Sequence, residues 1–190
     1  MKYKVIDNFL DEEYFNELVS LLTDKEYANN IMPWFLQTAI TTTPEHRPVT
    51  EDKIFILYHM FYNNHRPQSP LYEKLIPLLE KLKVSCLIRI KGNFYPNTHI
   101  LHEHPMHKDY PYSHSTALLS LNTCDGYTKL KDGTKIDSVA NRILLFDASE
   151  EHCSTTTTNV FARFNININY IQGQFKENEW VDDNHWSKQI

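Results

Sequence analysis

The chain has 190 residues and a formal net charge of −5, with 19 Lys and Arg against 24 Asp and Glu. That length suits a single domain with one substantial core, and the acidic balance weighs against nucleic acid or an anionic membrane as partner, since both draw on clustered cations. Met1 to Asp7 turns acidic before an apolar leader could form, and no later apolar run approaches a membrane-spanning length, so a soluble cytoplasmic protein is expected.

In chain order, Asp11 is a good N-cap with Glu12 and Glu13 in the first turn behind it. Phe15, Leu18, Val19 and Leu22 then recur at helical spacing. Thr41 to Pro48 and Asn63 to Pro70 read as loops. Ser69-Pro70 opens a second helix as cap and first-turn proline, with Leu71, Leu75, Leu78, Leu79 and Leu82 inward and a kink expected at Pro77. From Val84 the period changes to two. Val84, Cys86, Ile88 and Ile90 alternate with Ser85, Leu87, Arg89 and Lys91, and further strands are expected at Ser115–Asn122, Tyr127–Lys131, Arg142–Asp147 and Val160–Tyr170. Asp132-Gly133 marks a tight hairpin turn between Leu130 and Ile136. In the last of these strands, Ala162, Phe164, Ile166, Ile168 and Tyr170 share one face, while Arg163, Asn165, Asn167 and Asn169 share the other. Helices first and many short strands afterwards describe a mainly β, α+β jelly roll or sandwich with helices packed on one sheet. The division expected is a helical part over 1–83, a strand core over 84–170 and an extension over 171–190 carrying Trp180 and Trp186. Cys86, Cys124 and Cys153 are odd in number and contain no CxxC pair, so they read as reduced thiols.

Chemistry concentrates in the second half. His107 and Asp109 are two apart, so on an extended strand both side chains point to one side and can reach one cation. His152 supplies a second imidazole after several short strands. Two histidines and a carboxylate on one face of a metal leave the other face open, the arrangement used by non-heme Fe(II) oxygenases. Arg163, on the next strand, is a fixed cation able to grip a carboxylate through two N–H groups. His99, His102 and His104 crowd the same segment and read as solvated loop residues, since a His102-x-His104 chelate of cupin type lacks a following Glu between Pro105 and Asp125.

These motifs, together with Asn93-x-Tyr95-Pro96, Gly126-Tyr127-Thr128, Asn141 to Phe146 and Arg163-x-Asn165, resemble the 2-oxoglutarate/Fe(II)-dependent oxygenases. The likeness is greatest to the small prolyl-4-hydroxylase-like proteins of bacteria and bacteriophages, and the opening Val5 to Glu13 is similar to theirs. The resemblance implies a double-stranded β-helix with iron at one open end, held by His107, Asp109 and His152. It also implies 2-oxoglutarate and O2 as co-substrates, contacts to 2-oxoglutarate from Asn93, Tyr95, Arg163 and Asn165, and stimulation by ascorbate. The activity implied is hydroxylation of a C–H bond in a peptide, protein or small molecule, with peptidyl proline suggested by the likeness alone. Arg142 is an alternative carboxylate anchor, but it precedes His152 whereas the family places the arginine after it. Two other readings remain: a demethylase of alkylated nucleic acid, which lacks its second arginine because Asn169 stands there, and a non-enzymatic cupin-like metal-binding module. The oligomeric state is open.

Overall fold

The computed structural model describes residues 2–23, 32–38 and 55–172. The loop expected at Thr41 to Pro48, and Trp180 and Trp186 of the C-terminal extension, lie outside them.

The chain runs β1 (Tyr3–Ile6), α1 (Glu12–Thr23), β2 (Phe35–Gln37), β3 (Ile56–Asn63), β4 (Arg66–Pro67), a 3-10 segment (Pro70–Leu75) continuing into α2 (Ile76–Lys81), and then β5 (Cys86–Pro96). Beyond it come β6 (Ser115–Ser120), β7 (Tyr127–Leu130), β8 (Lys135–Asp137), β9 (Ile143–Asp147), β10 (His152–Ser154) and β11 (Ala162–Ile171). The larger sheet has the order β1-β9-β6-β11-β5-β3-β2 with β4 on β3, and the smaller has β10-β7-β8. The segment between β5 and β6 runs antiparallel along β10 through the bridges Glu103↔Thr155 and His107↔His152. From β5 onward the chain therefore crosses repeatedly between the two sheets, the path of a jelly roll.

Local signals explain the helices. Asp11 Oδ1 accepts the Tyr14 backbone N–H at 2.9 Å, capping α1, and Ser69 Oγ accepts that of Leu71 at 3.2 Å. The second helical stretch breaks where Pro77 cannot donate, so it begins as 3-10 and becomes α only at Ile76. Phe15, Leu18, Leu21 and Leu22 of α1 join Leu71, Leu75, Leu78 and Leu79 over the outer face of the large sheet, where Ile90, Ala117, Leu119, Ile166, Ile168 and Tyr170 meet them. A second cluster of Leu118, Leu130, Leu144, Phe146 and Ala148 fills the space between the sheets.

Two expectations need correction. The first 83 residues are not simply helical: β1, β2, β3 and β4 all join the large sheet. In β3 a register shift between Met60 and Tyr62 breaks the alternation that would have announced it. Asn64 and His65, with φ of 53° and 59°, turn the chain so that Arg66 and Pro67 fold back on β3, making a hairpin where a loop was read. In β5, Arg89 faces Asn169 but Leu87 faces Tyr170, so Ile88 is the extra residue of a bulge. Leu87 therefore packs towards the helices while Arg89 and Lys91 face between the sheets, and the strict alternation from Val84 fails there.

Candidate functional site

His107 and His152 exchange both backbone hydrogen bonds, His107 N to His152 O at 2.9 Å and the reverse at 3.0 Å. Residues paired in this way project to the same side of a sheet, and the two imidazole centroids are 4.6 Å apart. Each ring offers its Nδ1–H to the carbonyl two residues before it, His107 to Pro105 at 3.2 Å and His152 to Glu150 at 3.1 Å. A carbonyl can only accept, which fixes the proton on Nδ1 and leaves Nε2 as the lone pair, the state in which an imidazole ligates a metal. Burial, and then the neighbouring His152, push the His107 pKa down to about 4, so its ring is neutral at ordinary pH.

Asp109 is anchored by its backbone N–H to Ala148 O at 2.9 Å and lies on the same side as His107. One ligand atom each from His107, Asp109 and His152 falls within 4.8 Å of the others, and among the described residues this is the grouping of His, Cys, Asp or Glu able to hold a metal ion. Asp109 Oδ2 accepts Nδ2–H bonds from Asn167 at 3.1 Å and Asn169 at 2.8 Å. Its Oδ1 pairs with Arg89 Nη2 at 3.0 Å and lies 4.0 Å from His107 Nε2. Burial alone would raise the Asp109 pKa, but Arg89, His152 and Asn169 outweigh it, so the group stays an anion. Asn167 and Asn169, which share a β11 face with Arg163 and Asn165, thus hold the Asp109 carboxylate. That role was missed, as was that of Arg89; only the shared strand face hinted at either.

Arg163 is 1% exposed, and its guanidinium makes no ion pair with a carboxylate among the described residues. Nη1 donates to Tyr127 O at 2.8 Å and Thr155 O at 3.3 Å, Nη2 donates to Thr128 Oγ1 at 2.9 Å, and the Tyr95 ring lies 5.3 Å away. Nε has no partner. Leaving a buried charge without its counterion is expensive, so this pattern calls for an anion from beyond the described residues. Gly126 makes room for the arginine: a Cβ there would sit 2.7 Å from Thr156 O and 2.8 Å from Arg163 Cδ. Beside it Asn93 Nδ2 donates to Asn165 Oδ1 across the β5–β11 pair at 2.9 Å, while Asn93 Oδ1 and Asn165 Nδ2 are buried without partners among the described residues. Arg142, by contrast, grips Asp7 through Nε at 2.5 Å and Nη2 at 3.0 Å.

A cavity of about 650 Å³ opens over His107 and Asp109 and reaches Asn93, Tyr95 and Ser154 at the foot of β5 and β10. Arg89, Lys91, Tyr58 and Tyr110 form part of its wall. His99 is exposed and His102 is half-buried, but His104 is only 4% exposed, contrary to the reading of it as a solvated loop residue. Its backbone N–H donates to Ser154 O at 2.9 Å, drawing the ring under the sheet edge.

No family model and no curated protein matches the chain. Solved structures do. A 2OG-Fe(II) oxygenase family oxidoreductase from Burkholderia pseudomallei aligns over 90% of this chain and 85% of its own, with 13% identity and a TM-score of 0.62. A prolyl-4-hydroxylase from Pseudomonas putida aligns over 90% and 92%, with 13% identity and a TM-score of 0.57. A prolyl hydroxylase from Trichoplax adhaerens, solved with a peptide fragment of the hypoxia inducible factor oxygen degradation domain, aligns over 90% and 83%, with 16% identity and a TM-score of 0.58. At such identities the likeness establishes the fold, the mainly β jelly roll expected from the sequence.

Proposed function

We propose that this chain, read as one domain, is an Fe(II)- and 2-oxoglutarate-dependent dioxygenase that hydroxylates a substrate C–H bond. The observation that carries the reading is the conjunction of His107, Asp109 and His152, whose ligand atoms converge where a cavity opens over His107 and Asp109, with a buried arginine that has no carboxylate partner among the described residues. The donor set fits iron: nitrogen and carboxylate ligands from one side suit a ferrous ion and leave positions for a chelating 2-oxo acid and O2. The ion would supply a Lewis-acidic, redox-active centre where they meet.

The chain's own residues would bind and orient. His107 and His152 present Nε2 because Pro105 O and Glu150 O hold the other nitrogen, and Asp109 is kept ionised and aimed by Arg89, Asn167 and Asn169. Arg163 would take the distal carboxylate of 2-oxoglutarate, with Tyr95, Asn93 and Asn165 beside it. In the balanced reaction one oxygen atom enters succinate as CO2 leaves, and the other becomes the substrate hydroxyl. The protein's contribution is positioning and exclusion of side reactions.

For the substrate we favour a peptide or small molecule, with a proline-containing peptide first. The likeness to a prolyl hydroxylase solved with its peptide supports that ranking, and the position of the demethylases' second arginine is held by Asn169, already committed to Asp109. The test is succinate release by protein supplied with Fe(II), 2-oxoglutarate, O2 and ascorbate. Release should be stimulated more by proline-containing peptides than by methylated oligonucleotides, with one oxygen added to the stimulating peptide. Stimulation by oligonucleotides alone would favour the demethylase reading, and absence of both turnover and 2-oxoglutarate binding would overturn the enzyme assignment.

A further inference from the structure

Taking the site to bind 2-oxoglutarate, we propose that His104 is a second donor to the distal carboxylate, working beside Arg163. Arg163 has only part of its donor capacity left. Its Nη1 hydrogens go to Tyr127 O and Thr155 O and one on Nη2 goes to Thr128 Oγ1. What remains is Nε–H and one Nη2 hydrogen, two donors that can meet the oxygens of a carboxylate. A carboxylate bound there still has lone pairs to satisfy, and buried behind the cavity wall formed by Tyr95 and Ser154 it needs a further donor rather than water.

His104 is built to be that donor. Its ring is 4% exposed, Nδ1 lies 2.8 Å from Ser154 Oγ, and Nε2 is buried with no partner among the described residues. Both of its side-chain neighbours, Ser154 and Tyr95, line the cavity, and the Tyr95 ring packs against it at 5.4 Å while also lying 5.3 Å from the Arg163 guanidinium. The charge of Arg163, after burial, helps hold the His104 ring neutral, which places the two within electrostatic range. A hydroxyl can donate as well as accept, so Ser154 Oγ–H can donate to Nδ1 and leave the ring's proton on Nε2. The opposite tautomer would set a lone pair against an anion. Binding of the carboxylate selects the Nε2–H form, and the orphaned nitrogen gains its partner in the same event.

The test is titration of Mn(II)-loaded protein with 2-oxoglutarate and with 2-oxobutyrate, which lacks the distal carboxylate, in wild type, His104→Phe, His104→Gln and Arg163→Ala. His104→Phe keeps the ring volume without a donor and His104→Gln restores an N–H. Affinity for 2-oxoglutarate should fall roughly tenfold or more in His104→Phe and recover in part in His104→Gln, with Mn(II) and 2-oxobutyrate affinities unchanged. A 2-oxoglutarate affinity within about twofold of wild type in both His104 variants, while Arg163→Ala loses binding, would overturn the role of His104 alone. Equal losses for both oxo acids or for Mn(II) would also overturn it, by showing general damage. A wild-type protein that binds no 2-oxoglutarate would bring down the co-substrate assignment itself.

Discussion

Each oxygen of Asp109 has a separate task. Oδ2 is saturated by Asn167 and Asn169, so Oδ1, close to His107 Nε2, is the oxygen left for a cation, and Arg89 holds that position's charge at 3.0 Å. Arg163 has the converse problem, a buried cation with no carboxylate partner among the described residues. Arg163→Ala should therefore weaken 2-oxoglutarate binding by roughly 2–5 kcal/mol, the cost of leaving a buried charge partner unpaired, with Mn(II) affinity intact by titration. Arg142→Ala should leave 2-oxoglutarate affinity unchanged, because Arg142 is spent on Asp7. The convergence of His107, Asp109 and His152 was legible because a spacing of two in an extended segment puts both side chains on one side. His104 and Arg89 were not. Their burial comes from a segment that joins the small sheet through isolated bridges and from a bulge in β5, and neither leaves a periodic trace.

At the scale of elements, the site rests on close approaches that tolerate little. Gly126 lets the chain entering β7 pass under Arg163, and a Cβ there would meet backbone at 2.7 Å. Gly126→Ala should lower stability by about 1–3 kcal/mol through overpacking and weaken 2-oxoglutarate binding as Arg163 shifts, seen by denaturant titration and by calorimetry. Asp11→Ala, which removes only the α1 cap, should cost about 1 kcal/mol and leave co-substrate affinity alone. The contrast between these two variants separates damage to the frame from damage to the site. Strand β11 was legible to within two residues at its ends, since its alternation survives from Ala162 to Tyr170 and sorts core residues from site residues. Strand β3 was hidden by its register shift, and β1 by brevity: four residues pair with β9, and Asn141 fastens the chain beyond them by bonding Leu10 N at 2.9 Å and Leu10 O at 2.8 Å, a contact 131 positions apart.

Over the whole molecule, several histidines are folded in as neutral groups. Burial lowers the pKa of His59, of His104 to about 3 and of His107 to about 4. The unfolded chain takes up these protons as pH falls through about 6.5, whereas the native one does not until much lower, so the unfolded state binds more protons across that interval. Stability should hold above about pH 6.5 and decline as pH falls towards 4, and the urea midpoint of metal-free protein should be lower at pH 5 than at pH 7.5. A flat or rising midpoint would mean that these rings are not buried as described.

Whether His107, Asp109 and His152 together hold one metal ion in the mouth of this jelly roll is decided by titration of the metal-free protein with Mn(II), followed by electron paramagnetic resonance. One ion per chain should bind in wild type, and the site should be lost in His107→Ala, Asp109→Ala and His152→Ala alike but retained in His104→Phe. Undiminished Mn(II) binding in all three alanine variants, or its loss in His104→Phe instead, would contradict the claim.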